Sequence, residues 1–269
     1  MKPLCKLYLK QSPLWPLRFT ALWLALVMSS TAFGIENIEE IRFKEAKIGF
    51  QGSAAATVSN ATGNTNRDDW GVDVLSRWKT NTNEFLFLVG RNYGQDPNST
   101  YTDNSFMHFR WNYLPDEFLS YEAFVQKGTD KIRDLEDRSL LGAGIRLKLH
   151  YQPKYISHHL GIGAFDETET YQKLEDPKKQ NQTRGNLYWS LYWSPELAGA
   201  PVTIGNILYY QPSFKSSADQ RQIHTLTLKY HLSRAVGLKL SNSSKTDTAP
   251  PPGLKKNDRT TKLKLTYRF

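Results

Sequence analysis

Arginine and lysine recur at alternate positions in several segments, and this is the pattern in the chain best able to do chemistry. Arg77, Lys79, Arg110, Arg138, Arg146, Lys148, Lys229, Lys239, Lys262, Lys264 and Arg268 all alternate with apolar or small residues. Alternate residues of a strand share a face, so these cations gather on the side away from the apolar one, together with Asp69, Asp73, Glu84 and Glu122. Charges lining a narrow, low-dielectric passage raise the local level of opposite ions and give selectivity without a binding pocket. The same residues also have a plainer use, because pairs such as Arg110 with Glu122 can fill an interior by joining across strands.

Other candidates carry less. His158 and His159 are adjacent, so on a strand they face opposite sides and cannot both bind one metal. His108, His224 and His231 fall in separate segments with no spacing that demands a cluster. Asp166, Glu167 and Glu169 read as a cation site or, more simply, as a solvated acidic loop. No nucleophile motif sits on a sharp turn. Accordingly no catalytic residue, metal site or cofactor is assigned, and no enzyme activity is expected.

The elements that must position these cations are strands. The last nine residues alternate without a break, with Leu263, Leu265, Tyr267 and the terminal Phe269 on one face and Lys262, Lys264, Thr266 and Arg268 on the other. An amphipathic strand ending on an aromatic carboxyl terminus reads as the assembly signal of an outer-membrane barrel. About twelve such segments follow from Glu45 onward, each of the length needed to cross a bilayer at a barrel tilt. Met107, Phe109, Trp111 and Tyr113 oppose His108, Arg110 and Asn112, and Leu119, Tyr121, Ala123 and Val125 oppose Ser120, Glu122 and Gln126. Between Phe85 and Tyr93 both faces are apolar, so the parity there is open.

The connections sort by length. Short turns fall at 80–83, 114–117, 152–154, 194–201 and 233–234, and longer polar loops at 60–67, 95–102, 128–133, 167–184, 211–220 and 245–258. Such sorting implies two different rims, as in a barrel with short periplasmic turns and long outer loops. The Pro250-Pro251-Pro252 run cannot pair in a ladder and belongs to the last loop.

The N-terminus agrees. Lys2, Lys6, Lys10 and Arg18 precede the apolar run from Phe19 to Met28, which at roughly 10 residues is too short for a spanning helix of about 20. Small residues follow it, so residues 1–34 read as a secretory signal, cleaved after Gly34 or Ala32. Cys5 is the sole cysteine, and the mature chain cannot use disulfides, thiol catalysis or thiolate metal sites. The signal's four cations account for part of the net charge of +9, leaving a modest excess. No basic run carries interleaved stacking aromatics, which argues against nucleic-acid binding.

The expected fold is therefore all-β: an up-and-down antiparallel transmembrane β-barrel of about twelve strands over residues 47–269, preceded by a short periplasmic extension at residues 35–46 that has room for one helical turn or two. It is expected in the outer membrane of a Gram-negative cell, with both termini periplasmic. Its expected partners are outer-membrane lipid and lipopolysaccharide, and during biogenesis periplasmic chaperones and the barrel-assembly machinery; a monomer is the default. Gly142 with Gly144, and Gly161 with Gly163, recur on neighbouring strands, where they relieve crowding in a small lumen or admit an inner plug. A basic lumen would pass small solutes, preferably anions; a closed structural barrel is the alternative, and a hydrolase at the rim a more distant one.

Thr62-Gly63-Asn64-Thr65, the stretch from Asn112-Tyr113 through Glu122-Ala123-Phe124, Arg138 through Gly144, and Gly161-Ile162-Gly163 with Glu167 resemble the YdiY-like family of salt-induced outer-membrane proteins. Arg146-Leu147 stands where that family would place a further glycine and an aromatic. The resemblance implies location and architecture, and its name implies a part in envelope integrity under osmotic stress. It implies no reaction.

Overall fold

The computed structural model describes residues 37–42, 46–61, 67–131, 134–152, 155–171, 180–194, 201–232, 236–250 and 255–267. The alternating segments form β1 (Gly49–Ala61), β2 (Arg67–Lys79), β3 (Asn83–Gln95), β4 (Thr100–Tyr113), β5 (Leu119–Asp130), β6 (Leu135–Gln152), β7 (Ile156–Tyr171), β8 (Gln180–Trp193), β9 (Val202–Pro212), β10 (Gln220–His231), β11 (Val236–Asp247) and β12 (Asn257–Tyr267). Each pairs antiparallel with the next, so the sheet order is the chain order. An even number of strands brings the end of β12 back to the rim where β1 begins, here termed the terminus-side rim. Among the described residues no ladder joins β12 to β1.

The wall encloses a single helical element. A single helical turn, α1 (Glu39–Arg42), and the residues beside it meet β2 through Arg77, β5 through Glu122, β6 through Arg146, β8 through Ser190, β10 through Thr225 and β11 through Lys239. Strands drawn from nearly the whole order can surround one turn only if the sheet wraps into a cylinder. The protein is a twelve-stranded up-and-down β-barrel with α1 inside it. The segment expected as a periplasmic extension thus lies partly in the lumen, where Ile38 and Glu39 are fully buried and Glu39, Glu40 and Arg42 find opposite charges on the wall.

The two faces follow the period of two. Met107, Phe109, Trp111 and Tyr113 point outward, while His108, Arg110 and Asn112 are buried inward. Leu141 is 66% exposed, whereas Leu140 and Gly142 beside it are buried. In β3 the structure settles the open parity: Glu84, Leu86 and Leu88 turn inward, and Phe87 and Val89 outward. Both faces are apolar because Leu86 and Leu88 receive Ile38, with Ile41, Leu75 and Phe106 around it.

Midway along the barrel, inward side chains of β5 to β10 form a second apolar cluster of Phe124, Leu140, Phe165, Tyr188, Ile207, Tyr209 and Ile223. Gly161 makes room for it, since a Cβ there would fall within the Tyr188 ring, and one at Gly142 would meet Phe124 and Phe165. The crowding reading of these glycines is the one the structure supports.

The connections differ from the sequence expectation. Strands run further toward the rim opposite the termini, so its loops shrink to 62–66, 96–99, 131–134, 172–179, 213–219 and 248–256. At the terminus-side rim the connection 194–201 is as long as 172–179, and the first six strands have similar connections at both ends. The ladders continue through polar sequence because the inward charges there are paired. Leu263 faces outward. The expected signal at residues 1–34, the side chains of Lys262, Lys264, Leu265 and Tyr267, and residues Arg268 and Phe269 lie outside what is described.

Candidate functional site

A helix of one turn has no stability of its own, so α1 must be held by what surrounds it. The Asn37 side-chain oxygen accepts the Glu39 N–H at 3.2 Å, which caps the turn. Ile38 and Ile41, three residues apart, share the side that packs against β3. Glu39 and Arg42, also three apart, form an ion pair of 2.6 Å and carry the turn's charge to the wall.

Four strands receive that charge. Arg42 Nη2 donates to Glu122 and, at 3.4 Å, to Asn112 Oδ1. Arg146 Nη2 donates to Glu39 Oε2 at 3.0 Å, and Ser190 Oγ reaches the same oxygen at 3.4 Å. The second Glu122 oxygen accepts from Arg110 Nη1 at 2.8 Å and from the Tyr188 hydroxyl at 3.1 Å. Beside this group Arg77 pairs with Glu84, and Glu40 pairs with Lys239. Burial alone would raise the Glu39 carboxyl, but the guanidiniums of Arg146, Arg42 and Arg110 outweigh it and hold its pKa at about 2. Arg42 is likewise driven against its burial, its charge held by Glu122 and Glu39 well beyond the usual arginine range.

A second buried network lies in the lumen near the opposite rim. Arg184 grips Asp219 with two bonds of 3.0 Å and Glu167 with one of 2.9 Å. Arg221 donates to Glu167 at 2.6 Å and to Asp247 at 2.8 Å, and reaches Glu169 at 3.3 Å. The Tyr171 hydroxyl donates to Glu169 at 3.0 Å. Arg138 lies at ion-pair distance from Glu167 and Glu169, without hydrogen-bond alignment. Bidentate guanidinium–carboxylate contacts fix geometry as well as charge.

The two networks differ in sign. Around α1, Arg42, Arg77, Arg110 and Arg146 outnumber Glu39, Glu84 and Glu122; near the opposite rim, Glu167, Glu169, Asp219 and Asp247 outnumber Arg138, Arg184 and Arg221. Among the described residues, the cationic surplus read from sequence lies in the network around α1. Of the expected basic lining, Arg77, Arg110, Arg138 and Arg146 are inward and ion-paired, Lys239 is held by Glu40, and Lys148 lines a cavity at the terminus-side rim. Lys229 is half-buried, opposite Lys239 in the ladder.

The acidic loop read at Asp166 to Glu169 is strand instead. Glu167 and Glu169 are buried within the second network, and Asp166, on the outer face, accepts from Thr183. The histidines stay apart: His159 is inward beside Ser157, His158 accepts the Trp189 indole N–H outside the lumen, His108 meets Gln126, and His224 meets Asn206. Glu39, Arg42, Arg184, Asp219, Arg221 and Asp247 escaped the sequence reading. For α1 the available signal was the i,i+3 spacing of Ile38 with Ile41 and of Glu39 with Arg42.

A family model described as "Protein of unknown function, DUF481" matches residues 54–269; it is the model of the YdiY-like, salt-induced outer-membrane family. No curated protein matches. Among solved structures, the NanC porin aligns with a TM-score of 0.50 at 7% identity, covering 82% of this chain and 99% of the porin. The β domain of the Bordetella autotransporter BrkA aligns with a TM-score of 0.39 at 13% identity, covering 82% of this chain and 97% of that domain.

Proposed function

The chain belongs to the DUF481 family and is an outer-membrane β-barrel, and from that premise we propose that it is a plugged, non-enzymatic barrel: closed in the conformation described, and a path for small anionic solutes once α1 leaves the lumen. The observation that carries this reading is the seating of α1. It is buried, yet three of its fastenings to the wall are charged: Arg42 to Glu122, Arg146 to Glu39 and Lys239 to Glu40. A fastening made by an ionised carboxylate is lost when that carboxylate is protonated, so a plug held in this way is one that can be released. The cationic surplus around α1 supports the preference for anions.

In this reading the terminus-side rim faces the periplasm, and the barrel acts as a monomer. Planar-bilayer recording tests it. The full chain should be silent, and the Glu39→Ala/Arg42→Ala variant should show discrete steps with anion selectivity. Silence from a variant that retains its barrel spectrum and heat-modifiable migration overturns the passage and leaves a purely structural barrel.

A further inference from the structure

The interior is filled from one side. The apolar cluster midway along the barrel draws its side chains from β5 to β10, and the second ion-pair network draws on β6, β7, β8, β10 and β11. Among the described residues, neither takes a side chain from β12, β1 or β2. What that remaining wall presents inward is short and polar. The Ser243 hydroxyl lies 3.2 Å from that of Thr225, which also accepts from the Asn37 side chain beside α1. Residues opposite each other in a ladder share a face, so Thr260, opposite Ser243, is inward, and Ser53 is inward with Leu75. Asp73 shares the inner face with Phe106, since both crowd the space that a Cβ at Gly90 would take.

Exposure separates the two halves. Leu140 and Ile207 of the filled half are each 1% exposed, whereas Ser53 and Asp73 are exposed and Ser243 and Thr260 half-buried, although all four face inward. A side chain that faces the lumen and still meets solvent borders a water-filled space. Twelve strands leave room for one, because they enclose more than the eight-stranded interior that side chains fill, and polar lumen-facing residues are what a hydrated barrel carries. The plug segment leans on this wall, with Asn37 on Thr225 and Glu40 on Lys239, so its release bares the wall.

We propose that a hydrated groove runs beside the filled half of the lumen, along β11, β12, β1 and β2, and that small solutes follow it once α1 leaves. Asp73 is then a residue that sets ion preference, because a carboxylate in a narrow, low-dielectric passage acts directly on permeant ions; it tempers the anion preference of the cations around α1. The path rests on the release of α1 proposed above. The groove does not.

Thiol labelling and bilayer recording test the two parts separately. With Cys5, the sole cysteine, replaced by serine, the Ser243→Cys, Ser53→Cys and Leu140→Cys variants in phosphatidylcholine vesicles are treated with membrane-impermeant sulfonatoethyl methanethiosulfonate. Labelling at Ser243 and Ser53 should be at least tenfold faster than at Leu140, and Ile207→Cys replaces Leu140→Cys if the latter loses heat-modifiable migration. Equal rates in the two halves overturn the groove. In the Glu39→Ala/Arg42→Ala chain, Ser243→Trp should at least halve the conductance and Asp73→Asn should move the reversal potential toward that of the anion, whereas Leu141→Trp, on the outer face, should change neither. Steps that Ser243→Trp leaves intact overturn the path. Fast labelling with a silent plug variant keeps the groove and loses the passage; steps with slow labelling keep the passage and lose the groove.

Discussion

Arg42 of α1 and Glu122 of β5, 80 positions apart in the chain, form a buried ion pair in the lumen. Glu122 is also the acceptor for Arg110 and Tyr188, so a single carboxylate ties the plug to three strands of the wall. Glu122→Gln removes the charge and leaves Arg42 and Arg110 competing for one amide oxygen. Loss of one partner from a buried pair costs about 3–5 kcal/mol, and urea unfolding in micelles should show a loss of that order. Arg42→Met should cost less, because Glu122 keeps Arg110 and Tyr188. Equal, small losses from both would mean that the wall does not depend on this carboxylate.

Glu39 gives the plug a pH dependence of defined sign. Its carboxyl titrates at about 2 in place, against 4.5 when free. A depressed folded pKa means that the ionised form stabilises the seated state. That contribution is complete above about 4.5 and is lost as pH falls through the interval toward 2. Bilayer openings of the wild type should be absent at pH 6 and rise in frequency below pH 4.5. Glu39→Gln should open at all pH values and lose this dependence. Openings that instead become rarer on acidification would reverse the assigned sign.

Strands β4 and β5 were legible residue by residue, because alternation between oil and a polar lumen is a local property of the sequence. β3 was legible as a strand but not in its parity, since Leu86 and Leu88 are apolar for the sake of Ile38, more than forty positions upstream. The segment Gln180 to Arg184 is polar on both faces and carries no period at all; only its ladder with β7 and the grip of Arg184 on Glu167 and Asp219 make it strand. Of the candidate site, the pair of Arg110 with Glu122 was legible across neighbouring strands, whereas Arg42, Arg184 and Arg221 and most of the other pairings were not. Pairing between Arg146 and Glu39, or Arg221 and Glu167, depends on curvature that no single segment encodes.

Gly161 offers a test of how tightly the interior is filled. A methyl group at this position would overlap the Tyr188 ring, and overpacking of this kind costs about 1–3 kcal/mol. Gly161→Ala should lower the unfolding midpoint by a corresponding amount. Tyr188→Ala, which empties a packed site and removes a hydrogen bond to Glu122, should cost less in the Gly161→Ala chain than in the wild type, because it vacates the space the new methyl group needs. Strictly additive losses from the two changes would place the Tyr188 ring elsewhere.

The direction of β6 relative to lipid can be tested with one pair of neighbours. Leu140 is buried in the apolar lumen cluster, and Leu141 lies on the outer face at 66% exposure. Leu140→Ala empties a packed site, and a buried leucine truncated to alanine costs about 2–5 kcal/mol. Leu141→Ala removes a largely exposed side chain of the outer face and should cost far less. Arginine discriminates further: at the bilayer midplane of a barrel it costs about 2–4 kcal/mol, so Leu141→Arg should destabilise the protein in phospholipid vesicles. In a short-chain detergent, whose micelle deforms around the charge, the same variant should approach the wild type. The alanine pair reports on the lumen and the arginine variant on the bilayer, so a wall turned inside out would exchange the two alanine results and abolish the lipid dependence.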